Sequence, residues 1–259
     1  MKILKFTAAA AALLVLPLGA FAANGAAYNW YVKRDGGKPV CPSEMSFVEE
    51  HECKFIDDEA AEEGDRVVYL TFDAGYENGN VAKVLDTLKE ENVPGAFFVL
   101  ENLAKREPEL LKRMTDEGHT VCNHTAKHRD MTTCRDDGEF AAELEKMEKE
   151  YETATGKKLS KYYRPPEGRF SEENLKAAEK LGYKTVLWSF AYADWDNDRQ
   201  PDPSAALKKI VGTVTPGTVI LLHPTSDTNA AILGDVIRTL KNEGYRFGTL
   251  CELFDDEKA

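Results

Sequence analysis

The sequence is poor in basic residues relative to acidic ones: 33 Lys and Arg face 45 Asp and Glu, for a net charge of −12. A polyanion needs a basic surface, so this balance argues against a nucleic-acid partner. Glycine (18) and proline (11) are too few for collagen-like or low-complexity sequence, and no solenoid or propeller repeat is present. With 42% hydrophobic and 30% charged positions over 259 residues, the composition is typical of one large or two small globular domains.

Residues 1–22 have the order of a secretory signal peptide: two lysines, an apolar run from Phe6 to Leu18, and then Ala20-Phe21-Ala22. This order predicts cleavage after the last alanine and a protein that is secreted or associated with the cell envelope. The alternative is an uncleaved anchor, since 6–23 approaches the roughly 20 residues that a spanning helix needs. Pro17 and the Ala-x-Ala pattern favour cleavage.

The five cysteines lack the close Cys-x-x-Cys spacing of zinc sites. Outside the cytoplasm, disulfides persist, so structural bridges are the expected use of cysteine there. Cys41 and Cys53, and likewise Cys122 and Cys134, have 11 residues between them, which favours two local pairs and leaves Cys251 as the odd thiol. Buried free thiols are the alternative at each position.

From Arg66 onward, short β-rich runs alternate with amphipathic helices, which is typical of an α/β fold with a parallel sheet or barrel. Seven strands are predicted, at Val67–Phe72, Gly95–Leu100, His119–Asn123, Lys161–Arg164, Lys184–Ser189, Thr218–Leu222 and Arg246–Leu250. The pattern predicts an irregular N-terminal arm at 23–63, one α/β domain at 64–253 and a short C-terminal tail at 254–259.

Polar residues follow five of the predicted strands. In parallel α/β folds, ligands bind at the carboxyl ends of the strands. Five ends carry or lead into residue types suited to catalysis: Asp73, His124, Arg164, Asp194 and His223. Their convergence on one edge predicts an active site.

Two of these residues are candidates for acid and base. Asp73 follows the apolar strand Val67–Phe72, so burial suits its carboxylate to act as a base, and Arg164 is predicted to pair with it. His223 also follows an apolar run and is a candidate acid, with Asp194 holding its ring. Taken singly, each has a structural interpretation: a turn or helix cap for Asp73, a surface salt bridge for Arg164 and a core histidine for His223.

His124 and His128 have i, i+4 spacing, which on a helical turn places two imidazoles within reach of one divalent ion. The same spacing also arises by accident on solvated helices. His119, at the start of its strand, is interpreted as structural. His51, in the arm, is interpreted as solvated.

Aromatic residues surround the end of the fifth predicted strand. Trp195, with Tyr192 close by in the sequence, is predicted to offer a flat apolar face to a sugar ring. Trp188 lies inside the predicted strand and is predicted to belong to the core.

Taken together, these positions resemble the polysaccharide deacetylase family, the NodB-homology domain of carbohydrate esterase family 4. Five motifs occur in family order: Thr71-Phe72-Asp73-Ala74-Gly75, His124-Thr-Ala-Lys-His128, Arg164-Pro165-Pro166-Glu167-Gly168, Asp194-Trp195 and Leu221-Leu222-His223. Tyr76-Glu77-Asn78-Gly79 and the run 190–195 look most like the branch that de-N-acetylates muramic acid in peptidoglycan on the way to the δ-lactam.

The resemblance implies a distorted (β/α) barrel of about seven parallel strands that hydrolyses the N-acetyl amide of an amino sugar. By that resemblance, Asp73 is the base that activates water and His223 is the acid that protonates the departing amine. Arg164 would orient Asp73, and Asp194 would tune His223. The implied partner is a glycan, peptidoglycan in particular. A monomer is expected, because no interface stripe is present.

The resemblance also implies a divalent metal, zinc by expectation, held by His124 and His128. The family's usual third ligand is a second aspartate, and Ala74 stands in its place. Asn123 is a candidate for a replacement oxygen. The backbone N–H of Glu167 would help to hold the oxyanion.

Three alternatives remain open. Ala74 alone favours a glycan-binding pseudoenzyme. A glycosidase with two carboxylates, Asp73 with Glu167 or Asp194, leaves the histidines unexplained. The third alternative is a deacetylase with another sugar preference, for chitin oligosaccharides or for the glucosamine units of peptidoglycan.

Overall fold

The computed structural model describes residues 25–256, so the predicted signal peptide lies outside the described residues. The strands in this range are β1 (Tyr28–Asn29), β2 (Lys33–Asp35), β3 (Lys38–Val40), β4 (Cys53–Lys54), β5 (Val67–Ala74), β6 (Ala96–Val99), β7 (Thr120–Asn123), β8 (Tyr162–Tyr163), β9 (Arg169–Phe170), β10 (Lys184–Val186), β11 (Val219–Leu222) and β12 (Arg246–Phe247). The helices are α1 (Asp58–Glu63), α2 (Asn80–Glu90), α3 (Glu101–Arg106), α4 (Pro108–Asp116), α5 (Asp137–Thr155), α6 (Glu172–Lys180), α7 (Pro203–Thr213), α8 (Asp227–Asn242) and α9 (Leu250–Leu253). None of these helices is long and apolar enough to cross a bilayer.

The main sheet is parallel throughout, in the order β11-β5-β6-β7-β8-β10-β4, with β12 also paired to β5. Each of the seven predicted strands has a counterpart, and most are shorter than predicted. Beyond β10, Phe190 bridges to Ile220 of β11, which curls the sheet round on itself. This closure confirms the expected distorted barrel.

The segment predicted as an irregular arm contains ordered elements. β4 extends the main sheet beside β10, and Ile56, just after β4, bridges to Thr218. β1 pairs with β9, on the loop that follows β8. Strands of two or three residues are too short to show alternation, so the sequence pattern did not reveal them. These residues therefore help to close the barrel.

His51 of this segment is not solvated as predicted: only 10% of its side chain is exposed, and its Nδ1 lies 2.9 Å from Oε1 of Glu179. The interaction joins the segment to α6. His119 is structural, as predicted, because its Nδ1 accepts a hydrogen bond from the Gly95 N–H.

Alternation along β5 separates two faces. Leu70 and Phe72 face the helices and pack in the main core, where the Phe72 and Phe97 rings stack at 4.9 Å. The α2 residues that repeat with the 3.6-residue period are all buried there: Val81, Val84, Leu85 and Leu88. Tyr69 packs in a separate cluster on the opposite face. The same alternation places Ala74 with the helix-facing core and Asp73 on the other face.

The predicted disulfides are absent, because all five cysteines are free thiols. Cys122 and Cys134 pack in different hydrophobic clusters, on β7 and before α5. Cys41 and Cys53 share one cluster, and the Cys41 thiol contacts the carbonyl oxygen of Met45 instead. Burial raises the pKa of the Cys41 thiol to about 11 and that of Cys122 to about 12, so both are protonated near neutral pH.

Candidate active site

A pocket of about 570 Å³ opens at the carboxyl ends of the strands. Its walls carry predicted catalytic, metal and substrate-binding residues: Asp73, His124, His128, Glu167, Tyr192, Trp195 and His223. Arg164 and Asp194 lie behind this wall, where each contacts a lining residue. The barrel thus brings all nine predicted site residues together, from loops and strands up to 150 positions apart.

Arg164 is completely buried beneath the pocket. Its Nη1 donates to Oδ1 of Asp73 at 2.8 Å, and its Nη2 donates to Oγ1 of Thr71 at 2.9 Å. Its Nε donates to the Val186 carbonyl oxygen at 2.9 Å, and its guanidinium lies 4.1 Å from the centre of the Phe98 ring. A guanidinium held at each nitrogen cannot turn away, so it fixes the direction of the carboxylate.

Asp73 is held as a carboxylate. Burial alone raises the pKa of this group, but the charge of Arg164, the charge of His223 and the hydrogen bond from Arg164 outweigh burial, so the pKa lies below its ordinary value. One oxygen accepts from Arg164, and the other lies on the side of His124. The group is therefore ionised near neutral pH, as a base must be.

The pKa of His223 is shifted in the opposite direction. Burial lowers the pKa of the ring, but the hydrogen bond and charge of Asp194 outweigh this, with a further contribution from Asp73, so the pKa is raised. His223 Nδ1 donates to Oδ1 of Asp194 at 2.7 Å, and its backbone N–H donates to Oδ2 at 2.8 Å. With Nδ1 committed to Asp194, Nε2 is the nitrogen left for a ligand.

The histidine pair lies in a loop and not on the helical turn that its spacing suggested. Thr125 (φ 73°) and His128 (φ 54°) both adopt left-handed backbone conformations. Hydrogen bonds from the Thr125 N–H to Asn123 Oδ1, and from the His128 N–H to Thr125 Oγ1, hold this turn. The rings of His124 and His128 nevertheless lie 5.0 Å apart between centroids, at 72° to each other.

His124 presents a lone pair to the site. Its Nδ1 lies 2.9 Å from the Arg164 carbonyl oxygen, which only accepts, so Nδ1 carries the proton. Burial lowers the pKa of this histidine to about 4, which keeps the ring neutral. Its Nε2 lone pair therefore faces the free oxygen of Asp73 at 3.5 Å. Two electron pairs that face each other in a buried site suit a bound cation.

Two other positions supply no metal ligand. The side chain of Asn123 is held by structural hydrogen bonds, since Nδ2 donates to Leu144 O and to Tyr183 Oη while Oδ1 accepts from the Thr125 N–H. The suggestion that Asn123 replaces the missing oxygen is therefore wrong. Ala74 is buried in the helix-facing core. Among residues 25–256, no group of three or more His, Cys, Asp and Glu side chains is arranged to hold a metal.

The positions of the aromatic residues around the pocket agree only in part with the prediction. Trp195 is 60% exposed at the rim, as a sugar platform requires. Tyr192 is buried in the wall, and its hydroxyl contacts Asn229. Trp188 packs against a hydrophobic core cluster, as predicted, and it also lines the pocket. Tyr76, which sequence reasoning missed as a site residue, is 44% exposed at the rim and accepts a hydrogen bond from Asn197 at 2.5 Å.

Glu167 has a left-handed backbone conformation, with φ 58°. Such a conformation costs a non-glycine residue about 1 kcal/mol and is found disproportionately at functional sites. The bonds of its single helical turn come from the Gly168 and Arg169 N–H groups, to the carbonyl oxygens of Pro165 and Pro166. Neither of these bonds uses the N–H of Glu167, which leaves it available to a ligand.

Comparison with known proteins supports a specific family. The Polysaccharide deacetylase family model matches residues 60–186. The peptidoglycan-N-acetylmuramic acid deacetylase PdaA of Bacillus subtilis is 39% identical over 237 residues, covering 89% of this chain and 87% of its own. Its solved structure, described as a family 4 carbohydrate esterase, superposes with a TM-score of 0.82 at 38% identity, over 88% of this chain and 97% of that one.

Two further relatives bear on the alternatives. A peptidoglycan-N-acetylglucosamine deacetylase of Bacillus cereus is 33% identical over 195 residues, covering 74% of this chain and 69% of its own. A Bacillus anthracis structure described as a family 4 pseudoenzyme superposes with a TM-score of 0.68 at 28% identity, over 75% of this chain and 67% of that one.

Proposed function

The chain belongs to the polysaccharide deacetylase family, and from that premise we propose that it removes the N-acetyl group of N-acetylmuramic acid in peptidoglycan, outside the cytoplasm. The family makes it a deacetylase hydrolase, and its relatives act on peptidoglycan. The observation that carries the proposed chemistry is the pair of oppositely tuned groups in one pocket: an ionised Asp73 and a His223 with a raised pKa.

Asp73 and His223 divide the proton transfers of amide hydrolysis between them. Asp73 takes a proton from water as the oxygen attacks the acetyl carbon, which gives a tetrahedral oxyanion. His223 then donates its Nε2 proton to the sugar nitrogen as the C–N bond breaks, and acetate and a free amine leave. Arg164 keeps Asp73 oriented and ionised. The backbone N–H of Glu167 would help to hold the oxyanion.

The donor set fits a cation at His124 and His128, next to Asp73. Imidazole ligands suit zinc, and a zinc ion bound there would polarise the amide carbonyl and lower the pKa of water. Ala74 leaves this set one ligand short, so weak, exchangeable binding is the expectation. The protein residues supply the proton transfers described above in either case.

Metal removal is expected to lower acetate release by about tenfold or more and added Zn²⁺ to restore it, because a two-histidine site releases its ion readily. The measurement is acetate release after dialysis against a chelator, followed by titration with Zn²⁺. His119→Asn is the matched control, since His119 lies outside the pocket and its removal should leave the zinc response unchanged. Full activity in metal-free protein would contradict the assignment.

Asp194→Asn is expected to move the alkaline limb of the pH–kcat profile down by about one unit or more. In the wild type, Asp194 raises the pKa of His223, so the acid stays protonated to higher pH. Without the charge of Asp194, His223 is expected to lose its proton at lower pH. Asp196→Asn is the control, because Asp196 lies in the same loop and its carboxylate contacts only the Asp198 N–H. An alkaline limb that does not move would contradict the assignment of His223 as the acid.

The choice of sugar is tested on peptidoglycan glycan strands without stem peptides. Mass spectrometry of the digested product locates the free amine on muramic acid or on glucosamine. The proposal expects it on muramic acid. A free amine on glucosamine, or faster release from chitin oligosaccharides, would assign the other deacetylase specificity. New reducing ends without acetate would indicate a glycosidase.

A further inference from the structure

Asn229 lies in the first turn of α8, with 1% of its surface exposed, and has no part in the chemistry described above. Its Nδ2 donates to Oδ2 of Asp194 at 2.6 Å and to the His223 carbonyl oxygen at 3.1 Å, and its Oδ1 accepts from the Tyr192 hydroxyl. A carboxylate and a carbonyl only accept, so these partners determine which way the amide faces.

We propose that Asn229 is a positioning residue for the catalytic acid, a proposal that rests on the assignment of His223 as that acid. Asp194 receives its hydrogen bonds on both oxygens: Oδ1 from the His223 ring, and Oδ2 from the His223 backbone and from Asn229. Asn229 also donates to the His223 carbonyl oxygen. The Asn229 amide thus bonds both to the Asp194 carboxylate and to the backbone of His223, whose ring that carboxylate holds.

α8 supplies the rigidity that this role needs. The helix has 16 residues, and its N-cap, Ser226, accepts a hydrogen bond from the Asn229 N–H at 3.1 Å. Asn229 is therefore fixed at the backbone by the cap and at the side chain by three partners. A carboxylate in a loop, such as Asp194, gains its orientation from this helix.

The contacts of Asn229 limit the routes by which it can affect His223. Asp194, Asp73 and Arg164 are the charges that act on the His223 ring. Asn229 contacts the first of these and neither of the others, and it also contacts the His223 carbonyl oxygen. A change in the titration of His223 on removal of Asn229 therefore passes through the Asp194–His223 pair and not through Asp73 or Arg164.

Gln200 is a natural control, because it is a second amide that joins the same loop to the same helix. Its Nε2 donates to the backbone carbonyl oxygens of Asp194 and Asp196, and its Oε1 accepts from Ser226 Oγ and the Thr228 N–H. It holds the loop backbone and does not touch the carboxylate. Gln200→Met thus reproduces the loosening of the loop without the loss of the Asp194 contact.

The test compares pH–kcat and pH–kcat/KM profiles for acetate release by Asn229→Leu, Tyr192→Phe and Gln200→Met in the full-length protein. We expect Asn229→Leu to lower kcat about tenfold and to move the alkaline limb down by about one pH unit, the size of one hydrogen bond to a charged group. Tyr192→Phe removes only the hydroxyl that orients the amide, so a smaller shift in the same direction is expected. Gln200→Met is expected to raise KM and to leave the limb in place.

Three outcomes would overturn the proposal. An unmoved limb in Asn229→Leu, with losses like those of Gln200→Met, would make Asn229 a structural residue only. A limb that moves up would show that Asn229 weakens the Asp194–His223 pair. If Asn229→Leu fails to fold, Tyr192→Phe decides, and an unmoved limb there overturns the proposal. If Asp194→Asn also leaves the alkaline limb in place, the assignment of His223 as the acid is wrong.

Discussion

Replacing Asp73 by asparagine is expected to lower kcat for acetate release by about 10²- to 10⁴-fold, the range of a general base. The amide keeps the size of the side chain and can still accept from Arg164, but it cannot take a proton from water. KM is expected to change little. The measurement is steady-state acetate release by protein whose fold is checked by circular dichroism.

Thr71→Val is the matched control for this variant. It removes the hydrogen bond that Arg164 donates to Thr71 and the one that Thr71 donates to the Ile220 carbonyl oxygen, so it disturbs the same buried network, but it leaves the Asp73 carboxylate in place. Its kcat is expected to stay within about tenfold of wild type, given that one hydrogen bond contributes about 1 kcal/mol. Equal losses in the two variants would mean that Asp73 supports structure and not proton transfer.

Arg164→Met is expected to lower the free energy of unfolding by about 3–5 kcal/mol at pH 7, because it leaves the Asp73 carboxylate buried without a partner. Arg164 lowers the pKa of Asp73, so in the wild type this stabilisation is present above the unfolded pKa and is lost as pH falls through the folded one. In the variant, burial raises the pKa of Asp73 instead. The loss in free energy of unfolding relative to wild type should therefore become smaller as pH falls.

Urea unfolding of both single variants and of the double variant Arg164→Met/Asp73→Asn measures the coupling. The double variant is expected to be more stable than Arg164→Met alone, since the unpaired charge is gone. Strictly additive losses, or a deficit of the same size at pH 4 and pH 7, would contradict the account of this ion pair.

The strands and their catalytic ends could be predicted because both signals are local. Each strand is a short apolar run, and His124, Arg164 and His223 directly follow β7, β8 and β11. The structure brings His128 into the pocket, as predicted, but the predicted backbone conformation was wrong. Its i, i+4 spacing suggests a helix, whereas two left-handed residues make a loop, and nothing in the residue types Thr125 and His128 announces that conformation.

Features that depend on long-range contacts could not be predicted. β4 has two residues and gains its place in the sheet from β10, more than 100 positions away. Asn229 is 35 residues from Asp194 and, as an ordinary helix N-terminal amide in the sequence, gives no signal of that contact. The choice between disulfides and free thiols could not be made from the sequence either, because equal spacing of cysteines says nothing about which hydrophobic cluster each joins.

Acetate release from peptidoglycan glycan strands, measured together with new reducing ends, tests the central claim most directly. The account predicts acetate in amounts equal to the free amines formed, no new reducing ends, and loss of the signal in Asp73→Asn. Binding of the strands without acetate release, from these or any other N-acetylated glycan, would contradict it and would leave a glycan-binding protein with an unused pocket.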